Sequence, residues 1–159
     1  MVALSNQSKL INLSRYKRRW DLRLSGLSEE EGEDVRNKVI SVCQKTAPGC
    51  KEKLPDVIDT VHRLGRVTGS ACPREVIIQF FMRHYRDMIW KAAKQSSFLK
   101  THNLRFKEDF SPEDRQRRNM LWPQVKKACE EGKTAFYIGT RAFVVDKGGM
   151  RKELEPSND

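Results

Sequence analysis

The sequence predicts an α+β protein, and three observations carry that expectation. Short runs rich in β-formers alternate with helical apolar stripes between residues 21 and 109. A compact helix-start signal, Ser111-Pro112-Glu113-Asp114, then changes the grammar. Two short apolar runs flank Gly139-Thr140 beyond it, as a hairpin would.

Asp21-Leu22-Arg23-Leu24-Ser25-Gly26-Leu27 alternates apolar and polar residues, the mark of a half-buried strand. Val35, Val39, Val42 and Cys43 recur at helical spacing until Pro48-Gly49 stops them. Val57 to Leu64 is rich in β-branched residues and predicts a second strand, followed by a polar loop from Gly65 to Pro73. Glu75-Val76-Ile77-Ile78-Gln79-Phe80-Phe81 is the strongest strand signal in the chain. Tyr85, Met88, Ile89, Ala92 and Ala93 form a second helical stripe, and Phe98 to Phe106 supplies a fourth, weaker strand. Strand, helix, strand, strand, helix, strand is the split βαβ pattern (βαββαβ) of the ferredoxin-like fold.

Ser111 can cap the next helix, with Pro112 in its first turn and acids behind it. That helix is expected to reach Glu131, with a kink or break near Trp122-Pro123, where proline lacks an amide hydrogen. Thr134–Ile138 and Arg141–Val145 then pair through a two-residue turn suited to type II′. Phe136 would oppose Phe143 on a buried face, leaving Tyr137 with Ala135 and Ala142 on a face free for display. Trp20, Trp90 and Trp122 are expected in the core. The organisation that follows is a basic segment over 1–20, an α+β domain over 21–109, a helix-plus-hairpin domain over 110–148, and a flexible tail over 149–159.

The chain has 159 residues, with 31 Lys+Arg against 21 Asp+Glu, a formal charge of +10. The charge is unevenly placed. Residues 1–20 hold Lys9, Arg15, Lys17, Arg18 and Arg19 and no acid. An acidic run, Glu29-Glu30-Glu31-Gly32-Glu33-Asp34, precedes the first predicted helix, where it suits the positive end of the helix dipole. Between residues 60 and 110 there are ten basic residues and four acids. Such a cationic field attracts a polyanion by releasing counterions, so nucleic acid is the first partner to consider and an anionic membrane surface the second. A solvated basic surface without a specific partner has the same composition.

No window approaches a membrane-spanning length, and the start lacks the layout of a secretory signal, so a soluble intracellular protein is expected. Cys43, Cys50, Cys72 and Cys129 include no Cys-x-x-Cys pair, so neither zinc nor any other cofactor is expected. His62 and Asp59 would fall on opposite faces of a strand. There is no serine elbow and no phosphate-cradling glycine loop, and no catalytic residue is assigned.

In an RNA-recognition motif, two central strands display aromatic rings for base stacking. Leu22 to Leu27 fits the first of those strands except that Arg23 occupies the aromatic position, while Glu75 and Ile77 fall at the stacking positions of the other. A domain of this kind would depend on arginine and lysine contacts to the backbone, with stacking supplied elsewhere, Tyr137 being the candidate.

Taken together, the motifs resemble the first-open-reading-frame RNA-binding proteins of LINE-type retrotransposons, the LINE transposase family. The residues that carry the resemblance are Arg18-Arg19 before the first strand, that strand, the acidic run, His62-Arg63-Leu64-Gly65-Arg66, Pro73-Arg74-Glu75-Val76-Ile77-Ile78, Lys91-Ala92-Ala93-Lys94, and Asp109-Phe110-Ser111-Pro112-Glu113 through Arg117-Arg118 and Leu121-Trp122-Pro123. They extend over about residues 15–148.

The resemblance implies an atypical RNA-recognition domain and a small C-terminal domain that together clamp single-stranded RNA in a basic cleft, coat the element's RNA and act as a nucleic-acid chaperone in retrotransposition. Single-stranded DNA is a second ligand of the same chemistry. On matching positions, Arg63, Arg66, Arg74, Lys94, Arg118 and Tyr137 would line the cleft, with Arg18, Arg19 and Arg23 extending it and Lys91, Arg117 and Arg141 counted with them. It also implies cytoplasmic ribonucleoprotein particles, with the nucleus as a second location. Self-association is implied where a coiled coil precedes the strand, although Ala3, Leu10 and Leu13 make a poor heptad. Lys94-Gln95-Ser96-Ser97 departs from the more basic turn of family members. Two other readings stay open: a protein-interaction module whose Arg23-bearing sheet docks an acidic partner, and a nucleic-acid-processing enzyme whose metal site forms only in three dimensions.

Overall fold

A computed structural model describes residues 2–156. The protein is α+β, with helices and antiparallel sheets, and divides into two compact units, Met1–Asp109 and Phe110–Asp159.

The first unit begins with α1 (Val2–Lys17) and a 3₁₀ turn, Arg18–Trp20. On α1, Leu10, Leu13 and Tyr16 stay exposed. Next come β1 (Asp21–Ser25), α2 (Val35–Thr46), the short α3 (Leu54–Val57), β2 (Ile58–Arg63) and β3 (Val76–Phe80). α4 (Arg83–Ala93), α5 (Ser97–Thr101) and β4 (Arg105–Glu108) complete it. The sheet order is β2-β3-β1-β4, every neighbouring pair antiparallel.

Alternation in β1 and β3 sends Leu22, Leu24, Val76, Ile78 and Phe80 into the core, all between 0% and 1% exposed. There they meet Val39 and Cys43 of α2, Leu54 of α3, Ile89 of α4 and Leu99 of α5. Burying side chains of this size contributes about 1.5–3 kcal/mol each. Asp34 caps α2 by accepting from the Asn37 amide at 3.1 Å. After β1 the chain turns at Gly26, φ +90°, where any Cβ would collide with the Asn103 carbonyl oxygen.

The strand expected over Phe98 to Phe106 is corrected. Ser96 accepts from the Leu99 amide at 3.3 Å and starts the helical turn α5, which drops Leu99 into the core. Asn103, φ 55°, then reverses the chain, and only Arg105–Glu108 pairs with β1. An apolar run from Phe98 reads equally well as strand or helix, and the serine cap decides.

In the second unit, α6 (Pro112–Glu130) is capped by Ser111, which accepts from the Asp114 amide at 3.1 Å. It continues through Pro123 as one helix, so the expected break does not occur. Buried Leu121 and Val125 on either side of the proline anchor both halves to the same core. Trp122, expected inside, is 53% exposed, because Leu121 occupies the inward position beside it.

The antiparallel strands β5 (Thr134–Ile138), β6 (Arg141–Val145) and β7 (Arg151–Leu154) lie in that order. β7 corrects the flexible tail expected from residue 149: Arg151 to Leu154 pairs with Val145 to Ala142. Leu154 packs on the Leu121, Val125, Ala142 cluster, and Gln124 donates to the Glu155 carbonyl at 2.7 Å. The run Arg-Lys-Glu-Leu is too polar to announce a strand, and its pairing comes from the free edge of β6.

Candidate nucleic-acid interface

One face of the four-stranded sheet carries no helix-facing core residue and instead presents an ionic lattice. Strand alternation places Arg23 opposite Ile77 on β3 and Lys107 on β4. Asp109, directly after β4, accepts from Arg23 Nε at 2.8 Å and from Arg18 NH1 through both oxygens at 3.1 and 3.0 Å. Glu75 accepts from Lys107 Nζ at 2.8 Å and from Arg23 NH1 at 3.5 Å. Arg23 thus sits between two carboxylates where a stacking ring was absent from the sequence. Burial works to raise the Glu75 carboxyl, but the Lys107 hydrogen bond and the Lys107 and Arg23 charges outweigh it and hold the group low.

Asp21 stands beside this lattice. Its Oδ1 is buried without a hydrogen-bond partner. Burial first, and the neighbouring Asp109 charge and hydrogen bond second, push its carboxyl up to about 7 against the opposing pull of Arg18 and Lys17.

The cations around the loop between β2 and β3 divide into engaged and free. Arg63 donates Nε and NH2 to the two oxygens of Glu33 at 2.7 and 3.0 Å, NH1 to the Leu27 and Arg74 carbonyls, both at 2.8 Å, and NH2 to the Ser28 carbonyl at 2.7 Å. Its side chain is 5% exposed. Hydrogen bonding from Arg63, then Lys38, holds the Glu33 carboxyl at about 2 although burial opposes it. Arg74 donates Nε to Glu29 Oε1 at 2.7 Å and NH1 to the Gly65 carbonyl at 2.8 Å. The acidic run therefore grips the loop, and the two enclose an open pocket of about 750 Å³ that also touches Val67 and Cys72. Arg66 is exposed, with no ion pair among the described residues.

Lys91 and Lys94, at the end of α4, are exposed, as are Lys100 and Arg105; none of the four has an ion pair among the described residues. Arg19 is exposed and lies 5.5 Å over the Tyr16 ring. Arg86, one of the central run of cations, is 7% exposed: it donates to the Asp21 carbonyl at 3.3 Å, pairs with Asp87 at 3.1 Å and lies 5.8 Å from the Trp90 ring centroid.

In the second unit Phe143 is buried as expected, but Tyr137 is not displayed: its face of the hairpin is the one that α6 covers. Ala135, Tyr137 and Ala142 face α6 and pack with Leu121 and Val125. Phe136 and Phe143 stack on the opposite face. The register pairs the residues as expected, Phe136 with Phe143 and Tyr137 with Ala142, but alternation alone does not say which face α6 will cover. The small pair Ala135 and Ala142 lets the helix approach closely. Tyr137 consequently braces the unit: its hydroxyl donates to the Arg118 carbonyl at 3.1 Å, and its ring lies 4.3 Å beneath the Arg118 guanidinium. The Phe110 ring covers the same guanidinium at 4.4 Å, and Arg118 NH1 donates to the Gly139 carbonyl at 2.9 Å. Burial raises the Tyr137 hydroxyl pKa despite Arg118. Arg117 is exposed, and Arg141 is held by Glu153 at 2.7 and 2.8 Å.

Sequence reading missed Asp21, Glu75, Lys107 and Asp109 as one lattice, and Arg151 as a ring contact. Strand alternation places Lys107 beside Arg23 once the order of strands is known, but that order is a tertiary fact. Among the described residues, no group of three His, Cys, Asp or Glu side chains could hold a metal ion. Cys43 and Cys50 are buried, Cys72 and Cys129 are exposed, all four are free, and burial pushes the Cys43 thiol far up. No helix among the described residues is long and apolar enough to cross a membrane.

Comparison with known protein families finds no match, and comparison with curated proteins finds none either.

Proposed function

We propose that the chain is a non-enzymatic single-stranded nucleic-acid binder, with RNA as its first ligand, that holds mainly the phosphate backbone. The observation that carries this reading is the division of the cations. Arg18, Arg23, Arg63 and Arg74 are matched by carboxylates of their own unit. Arg66, Lys91, Lys94, Lys100 and Arg105 are exposed without ion pairs among the described residues. Unmatched surface cations condense on a polyanion with release of its counterions, so affinity falls steeply as salt rises.

The strand order β2-β3-β1-β4 supports the finer reading of the first unit as a ferredoxin-like domain of the RNA-recognition type. Arg23 and Glu75, at two of its stacking positions, are bound to each other, so this sheet favours no base in particular. The resemblance to LINE-type first-open-reading-frame proteins adds the proposal that the chain coats retrotransposon RNA as a chaperone within ribonucleoprotein particles. A sheet that docks an acidic partner is less well supported, since Asp109 and Glu75 already neutralise most of the cations on that face.

The test is a titration of a labelled single-stranded RNA 30-mer at several salt concentrations. With about five phosphates neutralised, log affinity falls against log salt with a slope of about −3.5. The variant Arg66→Glu, Lys91→Glu, Lys94→Glu is expected to lose at least tenfold in affinity while keeping its thermal midpoint. Affinity indifferent to salt, or unchanged in this variant, overturns the reading.

A further inference from the structure

The face of the β5-β6-β7 sheet turned away from α6 combines a stacked ring pair with arginines. The sheet's inner residues, Ala135, Tyr137, Ala142 and Leu154, pack on Leu121 and Val125. Alternation therefore turns Phe136, Ile138, Arg141, Phe143 and Arg151 outward. Phe136 and Phe143 are cross-strand partners whose ring centroids lie 5.9 Å apart at 28°; Phe136 is half-buried and Phe143 only 7% exposed, so a base reaches the pair only where the side chains over it move aside. Ile138 extends the same face and is 50% exposed.

Arginine side chains of the same sheet lie over the rings. The Arg151 guanidinium lies 5.2 Å from the Phe136 centroid and 5.4 Å from that of Phe143, spanning both. Arg141 lies 5.2 Å from Phe143 and is tied to Glu153. Arg151 has no carboxylate partner among the described residues, so its charge is left for an external anion.

We infer that this face is a base-stacking site for single-stranded nucleic acid, with Phe136 and Phe143 as the platform and Arg151 as its phosphate-binding cover. A guanidinium is a planar cation that stacks as a base does, so a base can replace it on the rings or slide between it and them. The displaced guanidinium is then beside the phosphate of the same nucleotide. An apolar peptide would bury an unmatched cation, and an acidic peptide would match the cation while leaving the flat rings without a partner. A nucleotide supplies both plane and charge. The inference rests on the proposed function and locates there the stacking contacts that the four-stranded sheet lacks.

The experiment compares two single-stranded 12-mers of equal charge, oligouridylate and its abasic analogue, on the intact chain. Each stacked base adds about tenfold, so the wild type is expected to prefer oligouridylate by that factor. Phe136→Leu with Phe143→Leu keeps apolar volume and removes the ring faces; it should bind both oligomers equally, with abasic affinity unchanged. Should that double variant fail to fold, the backbone amide resonances of residues 136 and 143 in the wild type give the same answer, shifting with oligouridylate and not with the abasic chain. Equal binding of the two oligomers by the wild type, or a preference surviving in the double variant, overturns the stacking site and leaves backbone binding intact. Binding of neither oligomer overturns the proposed function with it, whereas amide shifts at 136 and 143 produced by an acidic peptide and not by oligouridylate overturn the stacking site alone.

Discussion

Arg23 donates its Nε–H to Asp109 at 2.8 Å, and through that bond the first strand of the sheet is tied to the residue that closes the unit. Asp109 also accepts from Arg18, so one carboxylate, its side chain 3% exposed, serves two guanidiniums. Charge-assisted bonds of this kind stabilise more than neutral ones, and their value is largest where water is excluded.

Asp109→Ala leaves Arg18 and Arg23 short of their shared acceptor. The expected loss is about 2–3 kcal/mol of unfolding free energy, read as a lower urea midpoint at unchanged slope. Arg23→Ala should cost less, because Arg18 still matches Asp109. Equal urea midpoints for Asp109→Ala and the wild type would refute the shared-acceptor account.

Asp21 makes stability depend on pH in an unusual direction. Its carboxyl is raised from 3.8 to about 7, so the folded chain holds this proton more tightly than the unfolded chain does. The contribution is fully present below pH 3.8 and is lost as pH rises through about 7. Asp21→Asn keeps the shape without the charge. It should raise the thermal midpoint at pH 8 and flatten the decline between pH 4 and 7; a midpoint that falls at pH 8 would contradict this.

Glu33 acts with the opposite sign. Its carboxyl is lowered from 4.5 to about 2, so its contribution is present above pH 4.5 and lost as pH falls through about 2. Glu33→Gln should therefore lower the urea midpoint at pH 7 and shrink its acid dependence below pH 4. Faster proteolysis within Leu64 to Pro73, the loop that Arg63 and Arg74 hold, is the second expected readout.

Arg118→Lys keeps the charge and removes the planar group between Phe110 and Tyr137. The second unit should lose about 1–2 kcal/mol. The salt slope of RNA binding should stay as in the wild type, because Arg118 is engaged internally with two rings and the Gly139 carbonyl. In Arg118→Met, which removes the charge, a slope smaller by one contact would instead make Arg118 a phosphate ligand.

Local chemistry was legible where one residue type decides a conformation. Alternation in Asp21 to Ser25 and the β-branched run at Val76 to Phe80 predict strands, and Ser111-Pro112 predicts the start of α6. It was illegible where two conformations suit the same residues. Phe98 reads as the start of a strand until Ser96 caps a helical turn, and Arg151 to Leu154 reads as tail until the edge of β6 offers hydrogen bonds.

The candidate site divides in the same way. How many cations there are, where they cluster and which strand positions lack rings follow from residue type, because charge and side-chain period need no partner segment. Which of those cations remain available, and which hairpin face meets α6, came from packing between segments distant along the chain. An ion pair between Arg63 and Glu33, or a ring pair covered by Arg151, depends on distances between segments that the order of residues along a chain does not specify.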